Sequence, residues 1–241
     1  MDHIADLQRD GLALLDAARA AGLRAPVAAC PGWDVSRLVS HTGKVLERTT
    51  ILVREGLDAP PGNDRFVRFP DDESAFDRFA DVLDDTVAAL AEADPDSSCW
   101  NFTGNDLTTR FWVRRMANEV AIHRADAEIA AGALQPVGPE RAVDAIDELV
   151  TVMLPYSAAL KNPELTGSYH LHCTDTDGEW LAVFTDGSLV ATREHAKGDL
   201  AVRGPASPLL LWAFNRAPAD ADGLESFGDP ALLDGWTSIV P

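Results

Sequence analysis

The chain has 241 residues, 46% of them hydrophobic, and a formal net charge of −19 from 39 acidic and 20 basic residues. This apolar fraction argues against intrinsic disorder and is enough for one large core or two ordinary ones. A surface this negative repels phosphate backbones and anionic lipid headgroups, which disfavours nucleic-acid and membrane partners.

The N-terminus carries charges through its first turns and has no continuous apolar stretch, so we expect neither a signal peptide nor a membrane span. Cys30, Cys99 and Cys173 are widely spaced and form no CxxC pair. This pattern disfavours a disulfide framework or a zinc knuckle and fits a reducing cytoplasm. The sequence has no GxGxxG, Walker, GxSxG or HExxH motif, which sets aside nucleotide-binding, serine-hydrolase and zincin functions.

The first two thirds of the chain are predicted to be helical, because apolar residues recur at intervals of three and four. Asp34 is the predicted N-cap of the second helix, and Gly22, Gly56 and Pro95 lie at breaks between helices. Antiparallel helices joined by loops imply an up-and-down four-helix bundle over residues 1–160. The predicted helices cover residues 4–21, 34–55, 71–94, 108–131 and 140–154.

The pattern changes near Lys161-Asn162-Pro163, where alternating apolar and polar residues replace the helical spacing. Two Asp-Gly pairs, at residues 177–178 and 186–187, are strong hairpin signals. These features predict a small α+β domain over residues 165–241. Its expected elements are strands at 169–173, 180–184 and 200–203 and a short apolar helix at 209–214.

Polar residues inside the predicted bundle helices form the most informative pattern. His41 comes three residues after Leu38 and four before Val45, which places an imidazole in an apolar stripe. Glu119 and His123 are four residues apart and project from one helix face. A buried carboxylate is costly unless it is paired or bound to a metal. Two imidazoles and one carboxylate suit zinc or a similar divalent ion and leave one position open for water or substrate.

Simpler explanations of the same residues remain open. Glu119 could pair with Arg115 or His123 on the helix surface, and His41 could be a core histidine with ordinary hydrogen bonds. Helical periodicity does not show that the second and fourth helices face each other. Spacing alone therefore leaves the metal site as one of several interpretations.

Further candidates receive structural interpretations. His170 and His172 share one strand face, which could bind a metal, but a solvated outer face is favoured. Residues 175–179 resemble part of a calcium loop, yet they lack its remaining ligands, so a hairpin turn is expected. Cys30 is interpreted as structural and Trp33 as an anchor for the turn that contains it.

Three arginines, Arg114, Arg115 and Arg124, flank the candidate site and could bind an anionic cofactor. Pairing with nearby carboxylates is the expectation for all three.

Two N-terminal motifs resemble those of the mycothiol-dependent maleylpyruvate isomerase family, whose members are DinB-like bundles and include actinobacterial enzymes. They are CPGWDVSRLVSH at residues 30–41 and RRMANEVAIHRADAEIAAG at residues 114–132. A third segment, PLLLWAFNR at 208–216, resembles the short helix of the family's C-terminal domain. The resemblance covers nearly the whole chain. It implies that His41, Glu119 and His123 are metal ligands, that Asp126 supports them or the fold, and that Arg216 handles an acidic substrate.

The resemblance also implies a chemistry. Zinc with an open position would bind the thiol of mycothiol and lower its pKa. The thiolate would add to the cis double bond of maleylpyruvate, permit rotation, and leave to give fumarylpyruvate. In an S-transferase, the sulfur would stay attached to a small electrophile. The alternative is a non-catalytic metal- or small-ligand-binding protein with a regulatory or resistance role.

Overall fold

The computed structural model describes residues 1–161 and 163–240. Asn162, part of the predicted change of pattern, and Pro241 lie outside the described residues. The chain divides into two compact units, Met1–Gln135 and Pro136–Pro241. Among the described residues, no helix is long and apolar enough to cross a membrane.

The first unit is helical, as predicted. A short 3-10 turn, Asn63–Arg65, lies in the loop after the second helix. The third helix begins two residues later than Asp72, whose carboxylate accepts a hydrogen bond from the Ser74 backbone N–H at 3.0 Å. The long helices are α1 His3–Ala21, α2 Val35–Glu55, α3 Ser74–Glu92 and α4 Thr109–Ala130.

Helix α4 is the most enclosed of these helices, with buried side chains on most of its positions. It packs against α1 and α2, and α2 also packs against α3. Ala117, Ala121 and Ala125 recur every four residues and are buried, and such small side chains let neighbouring helices approach closely. Residues on α4 that are polar as well as buried therefore need partners inside the unit.

The start of α2 is fixed by a side-chain cap. Asp34 accepts a hydrogen bond from the Arg37 backbone N–H at 2.9 Å, which confirms the predicted N-cap. At the other end Gly56 is in the left-handed conformation with φ of 57°, as is common where a helix ends. Helix α2 therefore begins and ends where the sequence predicts, and His41 lies in its first half.

The second unit contains a mixed sheet with helices. The strands are β1 Gly167–Cys173, β2 Glu179–Thr185, β3 Ser188–Thr192, β4 Leu200–Gly204 and β5 Glu225–Gly228. Their order in the sheet is β3-β2-β1-β4-β5; β1 pairs parallel with β4, and the other pairs are antiparallel. The helices are α5 Pro139–Glu148, α6 Leu154–Lys161, α7 Ala206–Ala213 and α8 Ala231–Ile239.

The alternation predicted for the first two strands is confirmed. Tyr169, Leu171 and Cys173 are buried on one face of β1, and their neighbours in sequence lie on the other face. Asp186 and Gly187 have φ of 50° and 74°, the positive pair that a two-residue hairpin between β2 and β3 requires. One face of the sheet therefore covers a core, and the other carries its polar residues.

The structure differs from the sequence prediction after residue 139. The predicted fifth helix ends near residue 154, but a π-helical turn at Leu149–Met153 leads into α6, which continues to Lys161. A widened turn accommodates Pro155, which lacks a backbone N–H for regular α-helical bonding. Helix α5 packs against α7, and α6 packs against β3 and α8, so the residues from Pro136 to Leu160, placed with the bundle from sequence, lie in the second unit.

Candidate functional site

The structure brings His41, Glu119 and His123 together between α2 and α4. The Nε2 atom of His41 lies 3.5 Å from Oε1 of Glu119, and Nε2 of His123 lies 3.3 Å from the same oxygen. One candidate ligand atom from each residue lies within 4.8 Å of the other two. Helices α2 and α4 therefore face each other at these positions, which periodicity alone does not reveal.

The three side chains differ in their access to solvent. His123 is 9% exposed and Glu119 16%, whereas His41 is 39% exposed. The sequence placed His41 inside an apolar stripe, but the buried face of α2 runs through Leu38, Thr42 and Leu46, and His41 lies at its border. The cluster is thus enclosed on the α4 side and open beside His41.

The second oxygen of Glu119 has its own partner. Arg115, one helical turn earlier and buried, donates a hydrogen bond to Oε2 of Glu119. The pairing that the sequence left open is therefore present, and it leaves Oε1 directed at the two histidines. Burial raises the pKa of Glu119, but the charge of Arg115 and the hydrogen bonds from His123 and His41 lower it by more. The pKa consequently lies well below its usual range, and the carboxylate is ionised.

Asp126 forms a hydrogen bond with the ring nitrogen of His123 that faces away from Glu119 and His41. Nδ1 of His123 lies 2.9 Å from Oδ2 of the fully buried Asp126, so Nε2 is the nitrogen that faces Glu119 and His41. Burial lowers the pKa of His123, while the hydrogen bonds that its ring donates to Asp126 and Glu119 raise it by more, to about 9. The Cys30 thiol lies at hydrogen-bonding distance for sulfur, 4.0 Å from Asp126 Oδ2, which links the turn before α2 to this pair.

Trp33 forms one wall of the cluster. Its ring centroid lies 4.9 Å from that of His41 and 6.3 Å from that of His123, on which it stacks at 25°. The Arg37 guanidinium lies over the indole, 5.1 Å from its centroid. The sequence indicates no role for Trp33 beyond an anchor of the turn. Trp33 lies three residues after Cys30 and directly before the cap residue Asp34. Nothing in that sequence context indicates that the indole contacts both histidines.

The remaining predicted residues have other surroundings. Arg124 is 11% exposed and pairs with Asp10 at 3.1 Å and with Glu128 at 3.4 Å, in keeping with the expected carboxylate pairing. Arg216 belongs to the second unit, just after α7, and donates a hydrogen bond from Nη1 to the Phe214 carbonyl oxygen at 2.6 Å.

The donor set fits a divalent ion of the zinc type. Zinc bonds to imidazole nitrogen and carboxylate oxygen are about 2.0 to 2.2 Å long, so ligand atoms at two corners of a tetrahedron are separated by about 3.3 Å. The spacings of 3.3 and 3.5 Å from Glu119 Oε1 to the two histidine nitrogens match that separation. As N–H···O hydrogen bonds the same contacts are at the long end of the range.

Comparison with known proteins identifies the family of the chain. A family model described as the mycothiol maleylpyruvate isomerase N-terminal domain matches residues 4–128. The chain belongs to the mycothiol-dependent maleylpyruvate isomerase family. The model of the family's C-terminal domain matches residues 140–235.

Solved structures of the family share the fold at low sequence identity. A crystal structure of the mycothiol-dependent maleylpyruvate isomerase is 13% identical, with a TM-score of 0.64 over 93% of this chain and 91% of that chain. The structure of a histidine-to-alanine mutant is 11% identical, with a TM-score of 0.63 and the same coverage. Comparison with curated protein sequences gave no match.

Proposed function

We propose that this member of the mycothiol-dependent maleylpyruvate isomerase family is a metal-dependent enzyme that uses mycothiol, acting as an isomerase or S-transferase on a small acidic electrophile. The observation that carries the proposal is the convergence of two imidazoles on one oxygen of a largely buried, ionised carboxylate, at the spacing of a tetrahedral ion. Family membership supports the choice of mycothiol as the thiol. Helices α1 to α4 are interpreted as the family's DinB-like up-and-down bundle.

In this proposal His41, Glu119 and His123 hold zinc or a similar ion through Nε2, Oε1 and Nε2. An ion with three protein ligands and an open position lowers the pKa of a thiol that binds there, which makes the thiolate available at neutral pH. Arg115 keeps Oε2 of Glu119 occupied, so that Oε1 stays directed at the histidines. Asp126 fixes the ring of His123 through Nδ1, as carboxylates commonly do behind histidine ligands.

Access and substrate binding follow from the exposed side of the cluster. His41 is the most exposed of the three residues, so thiol and substrate enter beside it. The Trp33 indole offers an apolar surface there for the carbon skeleton of an electrophile. Arg216 is assigned to the substrate by resemblance of its segment alone; a guanidinium there would bind a carboxylate or enolate oxygen through paired hydrogen bonds.

The reaction needs no reactant other than the thiol and the electrophile. The thiolate sulfur bonds to one carbon of the cis double bond, and the electron pair moves onto the conjugated carbonyl as an enolate. Rotation about the resulting single bond is followed by loss of the thiolate, which restores the double bond in the trans form. In an S-transferase the enolate is protonated instead, and the sulfur remains on the product.

The test is conversion of maleylpyruvate, with and without mycothiol, by wild type and by Glu119→Gln. We expect thiol-dependent turnover that falls by roughly 100-fold or more in the variant, since even residues behind metal ligands are worth 10- to 100-fold. The matched control is Glu92→Gln at the exposed end of α3, which should keep wild-type turnover. Full activity of Glu119→Gln would contradict the proposal. A wild type that holds the ion yet turns over no electrophile would favour the non-catalytic alternative.

A further inference from the structure

A second cluster of metal-binding side chains lies on the outer face of the sheet. Three imidazole nitrogens surround one oxygen of Glu179: Nε2 of His170 at 2.9 Å, Nδ1 of His172 at 2.8 Å and Nδ1 of His195 at 2.5 Å. One candidate ligand atom from each of the four residues lies within 4.8 Å of all the others. His170 and His172 lie on the face of β1 opposite Tyr169 and Leu171, as predicted, and on that outer face they meet Glu179 and His195.

The sheet topology explains why these residues meet. His172 of β1 is directly opposite Glu179 of β2, and His170 is two residues away on the same face. Strand β3 ends at Thr192, opposite Leu181, whose partner on β1 is His170; β4 begins at Leu200, opposite Tyr169. The connection from β3 to β4 must therefore cross β2 and β1 near the row of His170. His195 lies on that connection.

Gly198 lets the connection lie close against β1. A Cβ added at Gly198 would come within 2.8 Å of the His170 backbone nitrogen and 3.1 Å of its Cβ, which no ordinary side chain tolerates. The crossing segment consequently touches the strand on the side from which the His170 side chain projects. Three inter-strand intervals amount to about 14 Å, well within the roughly 23 Å that seven extended residues can span.

Hydrogen bonding alone does not account for the arrangement. A carboxylate oxygen offers about two lone-pair sites, but three ring nitrogens converge on Oε1 of Glu179. A cation accepts a lone pair from each nitrogen and from the carboxylate, so it satisfies all four groups at once. Tetrahedral spacing of about 3.3 Å requires the Glu179 oxygen to lie about 0.4 to 0.8 Å farther from the three nitrogens, a shift within reach of side-chain rotation at this partly exposed residue.

The charges around the cluster are compatible with a bound cation. Arg203 of β4 is opposite His172, and its Nε lies 2.7 Å from Oε2 of Glu225, so its charge is compensated. A neighbouring cavity of about 450 Å³ is lined by one basic residue, Lys197, and one acidic residue, Asp199, so their charges add no net repulsion of a cation.

We propose that His170, His172, Glu179 and His195 form a second divalent-metal site, separate from the one between α2 and α4. Three imidazoles and a carboxylate suit zinc, nickel or copper ions. Four protein ligands leave no position open, which is the arrangement of a structural site. The ion fastens the β3–β4 connection onto the sheet through His195, which is otherwise 81% exposed.

Metal content of the full chain tests this proposal, measured by elemental mass spectrometry after zinc loading and dialysis. We expect two ions per chain in wild type, one in His123→Ala, one in the His172→Ala/His195→Ala double variant, and none when all three changes are combined. His3→Ala, which changes a histidine outside both clusters, should keep two. One ion in wild type, unaffected by the double variant, would overturn the second site and leave the first intact. One ion unaffected by His123→Ala would do the reverse.

Trypsin provides a readout at the connection itself, because Lys197 is exposed there. In the His123→Ala chain, saturating zinc should slow cleavage after Lys197 by at least about tenfold. An ion that binds only while the β3–β4 connection lies on the sheet makes detachment of that connection, which trypsin requires, less frequent. The milder variant Glu179→Gln keeps the side-chain shape and should lose most of this protection. Equal cleavage with and without zinc in the parent chain would contradict the proposal.

Discussion

His123 lies between two carboxylates, and this sets how the candidate metal centre responds to pH. Asp126 and Glu119 together outweigh burial and hold its pKa at about 9, so in the absence of a metal the imidazole is charged at neutral pH. A metal ligand must be neutral. Binding an ion between α2 and α4 therefore displaces the proton of His123, and this competition continues to a higher pH than for an ordinary histidine, whose pKa is about 6.5.

The prediction is proton release on metal binding, measured by calorimetric titration in two buffers of different ionisation enthalpy. The His172→Ala/His195→Ala chain isolates the first site. At pH 8 we expect close to one proton from His123 per zinc bound. Asp126→Asn removes one charge that raises the pKa of His123, so less of the imidazole is protonated and the release should fall. Almost no release at pH 8 from the parent chain would contradict the raised pKa.

The residues of the site could be predicted only in part from sequence. Glu119 and His123 were paired correctly, because their separation of one helical turn fixes a shared face. Their proximity to His41 depends on how α2 and α4 pack, which spacing does not encode. The family resemblance is what implied that His41 lies close to Glu119 and His123. The contact of Trp33 with both imidazoles needed the structure.

At the scale of elements, the position of α2 depends on a close approach by an aromatic ring. Phe69 enters from the loop before α3, is almost fully buried, and packs against Gly43, two residues after His41. A Cβ at Gly43 would lie 2.1 Å from Cζ of Phe69. The absence of a side chain at Gly43 therefore lets Phe69 pack directly against α2.

Gly43→Ala is expected to destabilise the chain. Alanine favours a helix by up to about 1 kcal/mol over glycine, but overpacking a core typically costs about 1–3 kcal/mol, so the net loss should reach up to about 2 kcal/mol. The midpoint of urea unfolding measures it. Gly138→Ala is the control for added volume, because a Cβ there meets no atom within 4 Å; since Gly138 is the N-cap of α5, its loss of stability should be limited to about 0.5–1 kcal/mol. Equal midpoints for the two variants would show that Phe69 adapts freely.

Elements with a strong period or cap were predictable, and those defined by packing were not. Asp34 and the four-residue spacing fixed α2, and the Asp186-Gly187 pair fixed the hairpin between β2 and β3. Strand β5 went unpredicted because all four of its residues are exposed, so it has no alternation to detect. The crossing from β3 to β4 joins residues distant in sequence, and only the sheet order brings His195 to His170.

At the scale of the whole molecule, the dominant feature is a net charge of −19. In the first unit several arginines are already paired with carboxylates: Arg115 with Glu119, and Arg124 with Asp10 and Glu128. Their charges are therefore not available to attract an anion over a distance. An acidic substrate approaches against the field of the whole chain, although a local guanidinium can still bind it on contact.

This repulsion predicts how catalysis depends on salt, if the proposed function holds. Raising the ionic strength from about 0.01 M to 0.1 M shortens the Debye length from about 30 Å to 10 Å and screens the distant carboxylates. The KM for maleylpyruvate should consequently fall as salt is added. An uncharged electrophile, assayed with the same thiol, serves as the control for effects of salt on the protein and the thiol. If the KM for the acidic substrate rose instead, local positive charge would dominate the approach. Arg216→Lys would then test whether that charge belongs to the arginine at the end of α7, since lysine keeps the charge but loses the paired hydrogen bonds.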